Sequence, residues 1–383
     1  MIYTPNFLLL CLSALLFSIS FNIIIPELPN FLEELGGEDY KGLIISLFAL
    51  TAGLSRPFSG KLTDTIGRIP VMIFGTFVCV VCSLLYPILT TVAAFMALRF
   101  FHGLSTGFKP TGLSAYVADI VPATRRGEAM GIIGIANSLG IASGPVLGQE
   151  LMPYLSSLDQ LFYISSAVAV VSIVILLRLP ESLLQKKPFR WSDLKLRRDE
   201  IIEPRVFPPS FIMMCSVFAF GIVLTIIPDF SEHLGLENKG LYYAYFIVGS
   251  LSVRIVAGKI SDRFGRVKVL LFASAVLVGA SVYTVFVTTE TDFFISAVLA
   301  GVAIGFITPT LFAWTIDLSL EEYRGRAMAT LYIALEIGIA TGAFFAGWIY
   351  DNDPTNFSVV FTVNSVITFI SFLFVLFYWR NRS

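Results

Sequence analysis

"RPFSGKLTDTIGR", Arg56–Arg68, returns 198 residues later as "RIVAGKISDRFGR", Arg254–Arg266. The same offset carries Asp119 onto Asp317, Arg126 onto Arg324, Gly127 onto Gly325 and Met130 onto Met328. It also carries Gly103 and Gly107 onto Gly301 and Gly305, and Gly140 and Gly144 onto Gly338 and Gly342. One ungapped register aligns three separate regions, so the chain reads as two homologous halves.

The halves are apolar. Of 383 residues 56% are hydrophobic and 14% charged, where a soluble domain is nearer a quarter charged. A helix that crosses a bilayer needs roughly 20 apolar residues. Twelve segments qualify: 6–32, 42–59, 70–89, 92–118, 127–151, 160–179, 209–230, 240–257, 267–287, 292–316, 325–349 and 357–378. The expected fold is an all-α integral membrane protein of two pseudo-symmetric six-helix bundles, residues 1–179 and 209–383. A basic linker, 180–208, joins them and carries Lys186, Lys187, Arg190, Lys195, Arg197, Arg198 and Arg205.

Charge sets the orientation. With both termini on the cytoplasmic side, inner loops and helix ends hold 22 of the 26 Lys and Arg residues. Only Lys41 and Lys239 fall outside, while Arg99 and Lys109 fall within the membrane. Such an asymmetry is the signature of a multi-pass protein of the cytoplasmic membrane. The net charge of −1 gives no reason to expect nucleic acid as a partner. Cys11, Cys79, Cys82 and Cys215 all lie in apolar segments, so the C-x-x-C of Cys79 and Cys82 reads as small apolar filler rather than a redox or zinc pair. The N-terminus has no basic n-region or small-residue cleavage site and reads as an uncleaved helix. With no nucleotide loop and no metal cluster, neither an enzyme nor a cofactor is expected.

"GKLTDTIGR" and "GKISDRFGR" resemble the loop signature of the major facilitator superfamily after helices 2 and 8. "RFFHGLSTG", from Arg99, resembles its fourth-helix motif, and "GIIGIANSLGIASGPVLGQ", from Gly131, its fifth-helix antiporter motif. Gln149 stands where that motif ends in Gly. "IIIPELPNFLEELG" resembles the end of helix 1 in drug and metabolite exporters. The resemblance covers the whole chain. It implies two bundles around a central cavity, with alternating access and a substrate site near the bilayer midplane.

The repeat separates scaffold from function. Features present in both halves build or gate the scaffold; charges present once are candidates for substrate or coupling ion. Among shared features, Asp64 and Asp262 fall at inner helix ends, where a carboxylate can accept N–H groups from a neighbouring helix N-terminus. Arg68 with Asp119, and Arg266 with Asp317, form candidate ion pairs. By resemblance these six residues are gating residues; the alternative is that they merely belong to topology-setting basic loops. Gly140, Gly144 and Gly148 are expected to pack helices closely. Pro145, whose counterpart is Ala343, is expected to bend helix 5.

Among unshared charges, Arg99 maps to Ala297, His102 to Ala300, Lys109 to Ile307 and Glu336 to Ser138, and Glu27 has Thr225 near its equivalent place. On a helical wheel Arg99, His102, Thr106 and Lys109 fall within a sector about 80° wide and about 15 Å tall, a stripe suited to line a water-filled cavity. Substrate contacts are therefore expected from Lys109, Arg99, His102, Thr106, Glu336 and Trp314, and proton coupling from Glu336, Glu27 and Arg99. The plainer alternatives are a packing histidine, an arginine that snorkels, and a permanent Lys109–Glu336 pair. Further cavity aromatics are expected among Phe17, Phe21, Tyr116 and Phe220.

The function expected is proton-coupled efflux of a small organic molecule by a monomer in the bilayer. The alternatives are an importer, symporter or exchanger of an anionic metabolite on the same fold, or a non-transporting membrane receptor or scaffold.

Overall fold

The computed structural model describes residues 3–37, 40, 43–236, 241–351 and 353–381. Lys41, Lys239 and Arg382, which entered the charge argument, lie outside the described residues, as do the expected helix starts Gly42 and Gly240.

Twelve long helices follow one another among the described residues: α1 (Pro5–Ile23), α2 (Leu43–Thr65), α3 (Arg68–Leu85), α4 (Val92–Ile120), α5 (Arg126–Leu151), α6 (Leu158–Leu177), α7 (Phe207–His233), α8 (Leu241–Phe264), α9 (Arg266–Val285), α10 (Glu290–Leu318), α11 (Arg324–Tyr350) and α12 (Phe357–Arg380). Eleven are long and apolar enough to cross a membrane. The exception is α4, whose apolar run is diluted by Arg99, His102, Lys109 and its glycines and hydroxyls.

Three segments depart from the hydropathy reading. The first segment breaks after Ile23 into a 3₁₀ turn, Ile25–Glu27, and a short helix, Leu28–Glu34. Pro26 and Pro29 each remove a backbone donor there. In the second, α2 continues past Ser59 to Thr65, and α8 likewise runs past Ala257 to Phe264. The polar repeat is therefore the last turns of a helix rather than a loop. Each helix stops at a left-handed glycine, Gly67 at φ 123° and Gly265 at φ 92°, a conformation that a Cβ would strain.

The chain forms two compact units. Unit 1 comprises Met1–Pro122, Ile132–Glu203 and Ser319–Thr330; unit 2 comprises Ala123–Gly131, Pro204–Leu318 and Leu331–Ser383. Unit 1 thus takes in most of the linker and the first turns of α11, and unit 2 the first turns of α5. Inside unit 1, α4 packs on α2 and α3, and α6 on α1 and α3; inside unit 2, α10 packs on α8 and α9, and α12 on α7 and α9. The second pattern is the first advanced by six helices, so the repeat in sequence is a repeat in packing.

Aromatic clusters hold each core. Phe31, Tyr86, Phe95 and Phe162 meet in unit 1, and Phe230, Tyr242, Phe293, Phe357 and Phe361 in unit 2. The α5 glycines sit directly on α1. A Cβ on Gly140 would come 2.4 Å from Ser18 Cβ, one on Gly144 2.7 Å from Asn22 Cβ, and one on Gly148 2.4 Å from the Ile23 carbonyl oxygen. In unit 2 the equivalent Gly338 and Gly342 press as closely on the carbonyls of Met214 and Phe218 in α7. Pro145 lies inside α5 without ending it.

Candidate functional site

The repeated stretch builds one junction in each unit. In unit 1 the last turn of α2 presents Asp64, 7% exposed, to the first amides of α11. Its Oδ1 accepts from Gly325 N at 2.6 Å and its Oδ2 from Arg326 N at 2.8 Å. A carboxylate at a helix N-terminus satisfies donors that have no partner within the helix and lies at the favourable end of the dipole. Arg68, 1% exposed, ties the site together: Nη1 donates to Asp64 Oδ1 at 3.0 Å and to the Thr63 carbonyl at 2.6 Å, and Nε to Asp119 Oδ2 at 3.0 Å. Asp119 also accepts from Arg324 Nη1 and, at 2.6 Å, from Ser182 Oγ. Glu181 caps α3 by accepting from the amides of Arg68 and Ile69, both at 3.0 Å.

Unit 2 repeats the design with more solvent. Asp262 accepts from the amides of Gly127 and Glu128 at the start of α5, both at 2.9 Å, and from Arg266 Nη1 at 2.6 Å. Arg266 Nε and Arg126 Nη1 share Asp317, each at 2.9 Å. Asp317 is 30% exposed where Asp119 is 11%. The structure therefore brings together Asp64 with Arg68 and Asp119, and Asp262 with Arg266 and Asp317.

In unit 1 the three basic residues of the α4 stripe are buried, whereas Thr106 is half-buried. Arg99, His102 and Lys109 are 4%, 0% and 1% exposed. The wheel angle was sound, but that side of α4 is covered by other helices, whose small residues leave room for the polar heads. Arg99 Nε donates to the Ile44 carbonyl at 3.0 Å and Nη1 to Tyr86 Oη at 3.3 Å, with the Phe48 ring 4.8 Å away. His102 sits between Tyr86 Oη at 3.3 Å and Cys79 Sγ at 3.4 Å. Lys109 Nζ donates to the Ser13 carbonyl at 2.9 Å, Ser13 Oγ at 3.1 Å and Ser172 Oγ at 2.6 Å, beneath the Phe17 ring at 4.5 Å. All three donors of the ammonium are thus used inside unit 1 on neutral groups of α1 and α6. Thr106 turns its hydroxyl onto the Gly103 carbonyl of its own helix.

The remaining acids and aromatics divide. Among the described residues no ion pair joins Glu27 to Arg99. Glu27 is half-buried at the end of the 3₁₀ turn and accepts from Asn30 Nδ2 at 3.4 Å. Glu336 is half-buried in the middle of α11. Trp314, 6% exposed, packs edge-on against Tyr378 of α12 at 5.1 Å. Tyr116 is buried and donates to the Pro180 carbonyl, anchoring the linker.

Sequence reasoning passed over Ser13, Ser172 and Tyr86, which hold the α4 cations, and Glu181, Glu200 and Glu203, which dock the linker. The serines carry no signal beyond being small and polar in apolar helices. The linker acids did carry one, since they interrupt a basic stretch. A charged cavity of about 790 Å³ in unit 1 is lined by Lys61, Asp64, Arg68, Asp119, Glu200 and Arg324, among others. No group of His, Cys, Asp and Glu that could hold a metal occurs among the described residues.

The family model described as Major Facilitator Superfamily matches residues 10–289 and 210–383. The uncharacterised MFS-type transporter MJ1560 of Methanocaldococcus jannaschii is 26% identical over 371 residues, covering 91% of this chain and 93% of its own. Multidrug resistance protein 2 of Bacillus subtilis is 27% identical over 325 residues, covering 81% and 76%. Among solved structures, the human organic anion transporter MFSD10 superposes with a TM-score of 0.83 at 20% identity, over 97% of this chain and all of that one.

Proposed function

The chain belongs to the Major Facilitator Superfamily and is a membrane transporter, and from that premise we propose that it exports a small organic molecule in exchange for protons. The observation that carries the direction is α5. Its Gly140, Gly144 and Gly148 press on the backbone of α1, and Pro145 has no counterpart in α11. The stretch resembles the antiporter motif, and the likeness to a protein named for multidrug resistance supports the same direction.

In this reading Glu336 carries the proton, with Glu27 in a lesser role and Arg99, bonded to the Ile44 carbonyl and Tyr86, in support of the coupling. Asp64 and Asp262 hold the starts of α11 and α5 in one state of the cycle and release them in another. The anionic-substrate alternative drew on the α4 stripe. With Lys109 donating to Ser13 and Ser172 it has no observation of its own to rest on.

The test is transport into proteoliposomes of a panel of lipophilic cations, zwitterions and organic anions, with and without an imposed pH gradient. The expected result is accumulation of at least one compound against its own gradient only when protons can flow the other way. Glu336→Gln should abolish that accumulation and spare exchange. Uphill transport by Glu336→Gln, or accumulation that needs no proton gradient, would overturn the reading.

A further inference from the structure

The offset that equates the two halves fails at one pair beside the junctions, and the linker fills the place. In unit 2, Lys259 of α8 and Glu128 at the start of α5 stand 3.6 Å apart. The 198-residue offset turns them into Lys61 and Arg326, two cations where unit 2 has a cation and an anion. The backbones do not differ to match. A Cβ on Gly258 would come 2.8 Å from the Cα of Glu128, and one on Gly60 3.1 Å from the Cα of Arg326. The first turn of α11 therefore packs on α2 as the first turn of α5 packs on α8, a few tenths of an ångström less tightly at the glycine and with like charges on the facing residues.

Two linker acids stand in for the missing one. Glu200 Oε2 accepts from Lys61 Nζ at 2.8 Å, and the Lys195 carbonyl accepts from the same ammonium at 2.8 Å. Partial burial pushes the Glu200 carboxyl up, but the Lys61 hydrogen bond, the Arg197 amide and the two positive charges outweigh it and hold the group below its ordinary value. Glu203, 1% exposed, binds Arg326 through Nε at 3.0 Å and through Nη2. Its own amide donates to Thr330 Oγ1 at 2.9 Å, one turn further along α11. In unit 2 Glu128 is itself the acid and takes Arg125 as well as Lys259.

We propose that Glu200 and Glu203 are positioning residues of the unit 1 junction: they neutralise Lys61 and Arg326 so that Asp64 can receive the amides of Gly325 and Arg326. The linker is then a working part of the unit 1 junction. As a statement about transport this rests on the reading above, in which Asp64 holds and releases α11. As a statement about what holds α11 it stands alone, and its test uses no substrate.

The test is amide hydrogen exchange on the full chain in lipid nanodiscs, comparing residues 324–330 with residues 126–131. Loss of a hydrogen bond to a charged group corresponds to a change of about tenfold to a hundredfold in an opening equilibrium. Glu203→Gln should speed exchange at 324–330 by that factor and leave 126–131 unchanged, and Glu200→Gln should do the same more weakly. The effect of Glu203→Gln should reverse sign in an Arg326→Glu background. Arg326→Glu alone sets Glu203 against a like charge and loses protection. Combined with Glu203→Gln it leaves a direct acid for Lys61, as in unit 2, and protection should return to within about threefold of the parent. An unchanged rate in Glu203→Gln, an equal change at 126–131, or Glu203→Gln remaining harmful beside Arg326→Glu would each overturn the proposal. If Glu203→Gln alone does not fold, the double variant is still required to fold and show the protection, and its failure would count equally against it.

Discussion

Lys109→Met separates the charge of a buried lysine from its volume. Lys109 is 1% exposed and donates to three neutral acceptors, with no carboxylate among its hydrogen-bond partners. Three hydrogen bonds to neutral oxygens recover only part of what the ammonium loses on leaving water. The effective cost of that desolvation is several kcal/mol even after relaxation. No counter-ion offsets that cost. Removing the ammonium leaves no stranded acceptor, because Ser172 Oγ already donates to the Ser13 carbonyl at 2.9 Å and Ser13 Oγ to the Ser172 carbonyl at 3.3 Å. Methionine fills about the same space under the Phe17 ring. The expected outcome is a protein between equally stable and about 2 kcal/mol more stable. Lys109→Ala, which also leaves a cavity, should lose about 2–5 kcal/mol. The assays are denaturation midpoints of the purified protein and pH-gradient-driven transport in vesicles. If Lys109 serves transport rather than folding, Lys109→Met keeps its midpoint and loses at least about tenfold in rate, equivalent to about 1.4 kcal/mol in the barrier. A Met variant that is destabilised by about 2 kcal/mol or more, with Lys109→Arg tolerated, would refute the reasoning, because the cation would then be holding α1 and α6 onto α4.

Asp64→Asn should free the start of α11, since its NH2 would replace one of the two oxygens that receive the Gly325 and Arg326 amides and the side chain would carry no charge for Arg68; a loss of about 3 kcal/mol predicts faster exchange at 324–330 by about two orders of magnitude. Asp262→Asn should do less to 126–131, because its partner acid Asp317 is more exposed, and equal effects at the two junctions would count against the role of burial. Gly144→Val should push α5 off α1, because the added Cβ would lie 2.7 Å from Asn22 Cβ and 3.1 Å from backbone; overpacking of this kind costs about 1–3 kcal/mol, and an unchanged melting midpoint would show that α5 shifts freely.

The architecture was legible because a membrane forces it. Long apolar runs separated by short polar turns leave few alternatives to spanning helices, and a 198-residue offset without gaps names the repeat directly. What hydropathy misplaced were helix ends. Lys61–Thr65 and Lys259–Phe264 are too polar to score as membrane helix, yet they continue α2 and α8 until Gly67 and Gly265 stop them. Periodicity likewise placed Arg99, His102 and Lys109 on one side of α4 but could not say what covers that side. The covering groups are Ser13, Ser172, Cys79 and Tyr86, residues that are ordinary in any membrane helix. A stripe is a property of one helix, whereas burial is a property of its neighbours.

The repeat was most informative where it was broken, and it was broken in two ways. One kind of break changes a residue whose surroundings also change. Lys109 becomes Ile307, and the hydroxyl partners at Ser13 and Ser172 belong to the half that has the lysine. The other kind changes a residue whose surroundings stay the same. Glu128 becomes Arg326 while the glycine beneath it, the lysine beside it and the carboxylate that receives its amide are all retained as Gly60, Lys61 and Asp64. In the second case the unchanged site still demands an acid, and the chain must bring one from elsewhere. Glu203, 1% exposed on Arg326, is that acid. Subtracting one half from the other had isolated the single charges inside the membrane, where the first kind of break occurs. Applied to the polar junctions it isolates the linker, which ties the two halves together in sequence and, through Glu200 and Glu203, completes the charge pattern of the unit 1 junction.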